Sequence, residues 1–238
     1  MISIIIPCFN DIALGFLEKN LELYRSFATQ VEVICVDSGS TDGTVELIQR
    51  YDAKLISLAS HSRGAKLNAG IAASTKAMIL LQHPRSSLTK EGVEYLINHS
   101  YESWGAFTHC FDHNHPLLKF TSYYSNYVRG RLSKIYYLDH CIFAQRSLLD
   151  AIGGVPEIDI FEDTVLCQEL AAITPPVLLP FVSTTSSKRF LHNGLIKQSL
   201  LNQLLKITFH LQINHRWMNK LYEKGLSLNT KYRDKKPK

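Results

Sequence analysis

The sequence predicts an α/β fold built on a mixed, mostly parallel sheet with helices on both faces, followed by a C-terminal helical extension. Three observations carry this. Short β-branched apolar runs alternate with helical patterns through the first half of the chain, at the spacing of βα units. The runs at residues 4–6 and 78–81 are continuous in the way of strands buried on both faces. A loop rich in Ser, Asp and Gly, CVDSGSTDGT at residues 35–44, leaves one such run and enters a helical pattern, so Asp37 sits where a buried strand emerges.

Taken in order, residues 2–6 read as the first strand, closed by PCFN at 7–10, and a helix follows over 14–28. Residues 31–36 give the next strand and 41–51 the next helix, entered through Thr and Asp groups suited to capping. Residues 54–58 are strand-like, and 63–74 are helical with Leu67, Gly70, Ile71 and Ser74 on neighbouring turns. Residues 78–81 form a buried strand and 89–101 a helix.

The second half changes character. Residues 105–111 alternate as a strand, 116–135 make a tyrosine-rich helical stretch, and 141–144 a short strand. A helix over 147–152 is stopped by Gly153 and Gly154, another begins near Phe161, and Pro175 and Pro176 break the chain before a short strand at 177–179. Residues 195–213 are amphipathic, with Ile196, Leu200, Leu204, Ile207 and Leu211 opposed to Lys197, Gln203, Lys206 and His210. The commonest use of such a stripe is packing on the neighbouring domain, and Trp217 and Tyr222 beyond it suggest an interface. The expected organisation is a domain over 1–190, an amphipathic helical extension over 191–225 and a basic flexible tail over 226–238.

With 238 residues, 45% hydrophobic and 20% charged, the chain has the composition of a globular protein and no apolar run of membrane-spanning length. Its first residues enter a strand without a basic leader, which predicts no signal peptide and a cytoplasmic location. Cys8, Cys35, Cys110, Cys141 and Cys167 are scattered with no CxxC pair, the usage of buried thiols in a reducing compartment. From Lys206 onward nine Lys/Arg face two acids on a chain of net charge +5. The tail reads as a solubilising end with no nucleic-acid partner; contact with the inner face of a membrane and a homodimer stay open.

Asp37 cannot cradle phosphate, but it can accept hydrogen bonds from a ribose or a base edge. The plain alternative on this run alone is a well-capped acidic turn between a strand and a helix.

Four segments extend the case: SIIIPCFN (3–10), VDSGSTDGT (36–44), RGAKLNAG (63–70) and FED (161–163). Together, in this order, they resemble the family 2 glycosyltransferases of GT-A fold, a Rossmann-like nucleotide-binding half joined to an acceptor-binding half. YLDHCIFAQR (137–146) and GGVPE (153–157) resemble one bacterial branch, the arsenosugar-biosynthesis type, and the resemblance runs from about residue 2 to Tyr222. It implies that Pro7 and Phe9 pack around the base and Asp37 contacts base or ribose. Arg63 then reaches the nucleotide, with Asn68 further along the same helix. Asp163 is implied as the general base, preceded by Glu162 in the usual pair, and Asp139 and His140 fall near the acceptor pocket. The implied reaction is inverting transfer of a sugar from a nucleotide-diphosphate donor, a UDP-sugar first, to a hydroxyl acceptor. Such transfer needs a poised carboxylate at the hydroxyl and positive charge at the leaving diphosphate.

One departure stands out. The family places a metal-binding Asp after the fourth strand, where Mg²⁺ or Mn²⁺ meets the diphosphate; here the stretch reads QHPRS (82–86), with Arg85 at the Asp position. No hard-cation site follows from these side chains, so no metal ligand is assigned. Arg85 is expected to bind the diphosphate itself, since a guanidinium fork matches phosphate oxygens. The rival reading is a non-catalytic nucleotide-sugar-binding or scaffold protein on the same fold. A nucleotidyltransferase would want a glycine-rich basic loop after the first strand, which PCFN lacks. His109, His113 and His115 lack the spacing of a zinc pair. Tyr123, Tyr124, Tyr127, Tyr136 and Tyr137 read as core and rim of a helix, with a sugar-stacking or lipid-facing wall as the alternative.

Overall fold

Chain order begins with β1 (Ile2–Cys8), a 3₁₀ turn and α1 (Phe16–Arg25), then β2 (Val31–Asp37), α2 (Thr44–Gln49), β3 (Lys54–Ser57), α3 (Arg63–Ala73) and β4 (Met78–Leu81). It continues with β5 (Ser86–Leu88), α4 (Lys90–Asn98), β6 (Trp104–Phe111) and α5 (Pro116–Tyr123), which passes through a π-helical stretch (Tyr124–Arg129) into α6 (Gly130–Ser133). A 3₁₀ turn (Leu138–His140) leads to β7 (Ile142–Gln145), α7 (Arg146–Ala151), α8 (Glu162–Ile173) and β8 (Val177–Thr185). The helices α9 (Lys188–Asn193) and α10 (Leu195–His210) follow. This computed structural model describes residues 1–60, 62–99, 101–211 and Met218. By its internal contacts the chain divides into one unit of Met1–Glu157 with Glu162–Ser186, and a second of Ile158–Phe161 with Ser187–Lys238. The expected boundary at residue 190 falls within α9.

All eight strands of the first unit join one sheet, ordered β3-β2-β1-β4-β7-β6-β8-β5. Strands β3, β2, β1 and β4 run parallel, as βα units require; β7 enters antiparallel between β4 and β6, and β8 is parallel to β6. Successive residues of β1 point to opposite faces and build two cores. Ile4 and Ile6 join Leu17, Leu21 and Tyr24 of α1, Leu47 and Ile48 of α2, and Val93 and Leu96 of α4. On the other face Ile5 joins Leu67 and Ile71 of α3, Leu149 of α7, and Leu166 and Leu170 of α8. Helix α3 lies so close to the sheet that a Cβ on Gly70 would sit 2.2 Å from Ile5 Cγ2. No disulfide forms among the five cysteines: Cys8, Cys35 and Cys141 are buried in the first core, Cys167 in the second, and Cys110 is half-buried.

Several expectations need correction. The first strand does not end at residue 6 but runs through Pro7 to Cys8. Strand β4 stops opposite Ile5, so beyond it β1 has β2 as its neighbour and a missing N–H is tolerated as on an edge strand. The short strand at 177–179 is nine residues long, because an irregularity opposite Phe107 and Thr108 absorbs Pro180 and pairing resumes at Val182. Its far end templates β5, which carries no strand signal of its own. The single helix expected over 116–135 is divided by the π-helical stretch.

The second unit corrects a further expectation. Within this unit it is not the apolar stripe of α10 that is buried: Ile196, Leu200, Leu204, Ile207 and Leu211 are all exposed, while Gln198, Leu205 and Thr208 are buried. Trp217, Tyr222 and the tail over 226–238 lie outside the described residues.

Candidate active site

The carboxyl edge of β1 and β2 is tied together before any ligand is considered. Asp37 is buried, and its Oδ2 accepts from the backbone N–H groups of Gly39 (2.8 Å) and Ser40 (2.9 Å), while the Ser40 hydroxyl donates to Oδ1. The loop after β1 is zipped to the loop after β2: Asn10 N–H donates to Ser40 Oγ (2.9 Å), Thr41 N–H to Asn10 Oδ1 (2.9 Å), and Asp11 N–H to Thr44 Oγ1 (3.0 Å). Pro7 is buried in β1, and half-buried Phe9 donates its N–H to Asp11 Oδ2 (2.8 Å). Asp37 thus shapes its own loop first, and the sequence-predicted ligand role must work through oxygens already engaged.

Lys66, which sequence reasoning passed over, lies under this edge. It is 1% exposed, and its Nζ donates to Cys8 O and Ser38 Oγ, each at 3.2 Å. Burial lowers its pKa, and Asp11 and Asp37 oppose that. Its signal was a lysine on the sheet-facing side of an amphipathic pattern, where a helix face otherwise reads Leu67, Gly70 and Ile71.

A second cluster joins α3 to α8. Arg63 opens α3, and its Nε donates to Glu162, while its Nη2 lies 3.4 Å from Asp163 Oδ2. The same Oδ2 accepts the Leu138 N–H at 3.1 Å. Asp163 carries no further hydrogen bond among the described residues, so Oδ1 remains to take a proton. Burial raises the Asp163 carboxyl to about 6, with the charges of Glu162 and Asp139 adding to burial and Arg63 and the Leu138 amide opposing it. Acids at a helix start are also what the macrodipole favours, but neither purpose excludes the other. Arg63, which the family resemblance assigns to the nucleotide, is anchored by the acidic pair.

Asp139 completes the cluster from the 3₁₀ turn. Arg129 donates to Ser125 Oγ, Ser125 lies 3.1 Å from His140 Nε2, and His140 Nδ1 lies 2.8 Å from Asp139 Oδ1. The ionised Asp139 carboxylate can only accept, so an imidazole proton belongs on Nδ1 facing it; burial lowers the His140 pKa, and in the neutral ring Nε2 accepts from the Ser125 hydroxyl. Burial alone would raise the Asp139 carboxyl, but His109, the bond from His140 and Arg129 hold it well below the usual range. Buried His109 stacks on His140, its Nε2 is 3.6 Å from Asp139 Oδ2, and burial lowers its pKa to about 4, so it is neutral at pH 7. This relay needed one turn of the π-helical stretch and the separate 3₁₀ turn to converge, which no local spacing announces.

The remaining predicted residues separate from these clusters. Asn68 faces the turn at 153–157: its Nδ2 donates to Val155 O (2.9 Å) and its Oδ1 accepts Val155 N–H (2.8 Å). Arg85 Nε donates to Asp11 Oδ1 at 3.2 Å, which ties the end of β4 to the loop after β1. Gln82 is fully buried, accepts from the Tyr24 hydroxyl and donates to Ser86 O (2.9 Å). The side chains here do not fit a hard divalent cation: Gln82 is engaged in the core, Asp11 is paired with Arg85, and no group of three His, Cys, Asp or Glu side chains that could hold a metal ion occurs among the described residues. The tyrosines divide, with Tyr123, Tyr124 and Tyr127 exposed and Tyr136 buried. A cavity of about 410 Å³ between Tyr127, Arg131, Tyr136 and Pro176 is lined by none of the predicted site residues.

Comparison with known proteins bears on the fold and the family. The chain resembles the solved structure of S. aureus TarS 1–349 in complex with UDP-GlcNAc (TM-score 0.63, 17% identity, 78% of this chain and 58% of that one). It also resembles the mannosyltransferase PcManGT from Pyrobaculum calidifontis in complex with GDP-Man and Mn²⁺ (TM-score 0.62, 18% identity, 94% and 73%). A third is glucosyl-3-phosphoglycerate synthase from Mycobacterium tuberculosis in complex with Mn²⁺, UDP and phosphoglyceric acid (TM-score 0.56, 17% identity, 78% and 69%). The chain thus spans a little under three fifths of the TarS fragment, and these likenesses establish a GT-A-like fold. Among curated proteins none matches. The model of Glycosyl transferase family 2 matches residues 3–151, well over half of the sequence, and the chain belongs to that family.

Proposed function

We propose that the protein transfers a sugar from a nucleotide-diphosphate donor to a hydroxyl acceptor with inversion. Asp163 takes the proton of the acceptor hydroxyl, the oxygen attacks the anomeric carbon, and the bond from that carbon to the diphosphate breaks as the nucleoside diphosphate leaves. The observation that carries this reading is Asp163: a buried carboxyl raised to about 6, fixed through one oxygen by Leu138 N–H and Arg63. A base is most effective when its pKa lies near the working pH. Asp139, ionised and oriented by His140, accepts a second hydroxyl of the acceptor or sugar.

The donor lies along the loops after β1 and β2, with Pro7 and Phe9 beside the base and the Asp37 loop beside the ribose. A UDP-sugar is the first candidate; relatives of this fold are known with UDP-GlcNAc, GDP-Man or UDP. Arg85, held by Asp11, supplies positive charge to the diphosphate in place of the family's metal.

Calorimetric titration with UDP, GDP and their sugars, in EDTA and then with Mn²⁺, tests this. The expected result is binding of one nucleotide in EDTA, weakened about tenfold or more by Arg85→Gln for the diphosphate and far less for the monophosphate. Binding that requires Mn²⁺ and ignores Arg85→Gln would remove Arg85 from the mechanism. Nucleotide-sugar binding without turnover against a panel of hydroxyl acceptors, unchanged in Asp163→Asn, would favour the non-catalytic reading.

A further inference from the structure

We propose that α10 lies on the surface of a bilayer that carries anionic headgroups, with its outward apolar row in the lipid interface. Ile196, Leu200, Leu204, Ile207 and Leu211 are 71, 66, 47, 57 and 67% exposed. Their spacing of four, four, three and four residues puts them in one row along the helix. Together they form a patch on the order of a few hundred Å², the size that marks an interaction surface.

The row is not what seats the helix in its own unit. That task falls to the opposite side, where Leu205 is buried and Phe209 packs on Phe161 with ring centroids 4.7 Å apart. Buried Gln198 is bonded to Asn193 (2.8 Å) and Asn202 (2.7 Å) on that same side. Polar groups are therefore paired inward while leucine and isoleucine face out, the reverse of a helix that ends at its own domain.

Charge selects the occupant. Residues 187–238 hold twelve Lys/Arg against two acids, and no acid occurs between Glu169 and Glu223; residues 1–186 hold fourteen against nineteen. Exposed Lys197 falls at one border of the apolar row by helical spacing, where its stem reaches headgroups while the row sits deeper. A symmetric contact with a second copy would instead bring two such basic segments together. At sixteen residues α10 is too short to span, and no described helix is long and apolar enough to cross a membrane. A helix of this kind lies in the plane of the interface, and each basic residue near an anionic surface adds to the attraction.

Flotation of the full chain with phosphatidylcholine vesicles, with or without added phosphatidylglycerol, provides the test. Binding is expected to the anionic vesicles, to weaken as salt rises, and to fall about tenfold or more in Leu200→Gln/Ile207→Gln. Both side chains are exposed, so that variant is expected to keep the circular dichroism spectrum and nucleotide affinity of the parent. Failure to bind anionic vesicles at low salt overturns the proposal, and so does equal binding by the variant, which would assign the attraction to charge alone. Lipid-independent self-association that the variant abolishes overturns it in favour of a contact between copies.

Discussion

Asp163 takes its proton affinity from its surroundings, and that has two measurable consequences. As the base it must be ionised, so kcat/KM is expected to rise with pH through about 6 and then level, and Asp163→Asn to lower it about 10²–10⁴-fold with donor binding retained. The same shift acts on stability with the opposite sense. The folded state favours the protonated carboxyl, so this group's contribution is full below about pH 4 and is lost as pH rises through about 6. His109 runs the other way: its folded pKa is lowered to about 4, so the unfolded chain binds its proton first and stability is lost as pH falls from about 6.5. In the parent these slopes oppose each other. Asp163→Asn removes the opposing slope and keeps the histidine one, and its urea midpoint is expected to fall more steeply than the parent's between about pH 6 and 4. A parallel course in the two proteins would mean that Asp163 titrates normally.

At the scale of elements, α3 joins three parts of the first unit. Gly70 lets it lie on β1, Gly64 admits Pro156 O, which would be 2.4 Å from a Cβ, and Asn68 makes a two-way clasp with Val155. Asn68→Ala breaks that clasp and leaves backbone groups of the 153–157 turn without partners. It is expected to cost about 1–3 kcal/mol in urea unfolding while nucleotide affinity stays within about twofold. A large loss of affinity with unchanged stability would return Asn68 to the donor site. The parallel βα units were legible because Ile4–Ile6-type runs and the α3 pattern carry their periods locally. Strand β5 was not, because Ser86 and Ser87 become a strand only where β8 reaches them. The extent of β8 was hidden by Pro180, which marks a strand end in sequence and sits at an irregularity in the sheet. The acidic pair is legible from FED, but its pairing with Arg63, 99 residues away, is not. Lys66 and the Arg129–Ser125–His140 relay were illegible for the same reason: their meaning depends on what the chain brings to them.

Across the whole molecule, four of the five thiols are sealed within the two layers that flank the sheet. Burial raises Cys141 and Cys167 to about 12, and a hydrogen bond with Cys35 together with burial raises Cys8, so almost none of each is thiolate at neutral pH in the closed protein. Alkylation at these positions must then wait for the layer around them to open. The expected outcome is fast labelling at half-buried Cys110 and labelling at the other four that slows with the opening free energy of their surroundings. Mass spectrometry of partly labelled protein checks it, and labelling of Cys8 at the Cys110 rate would contradict it. The cysteines thus act as clocks placed in advance: Cys8, Cys35 and Cys141 time the breathing of one layer, and Cys167 that of the other. Whether the two layers loosen together or one ahead of the other can be read from the protein without adding a single reporter group.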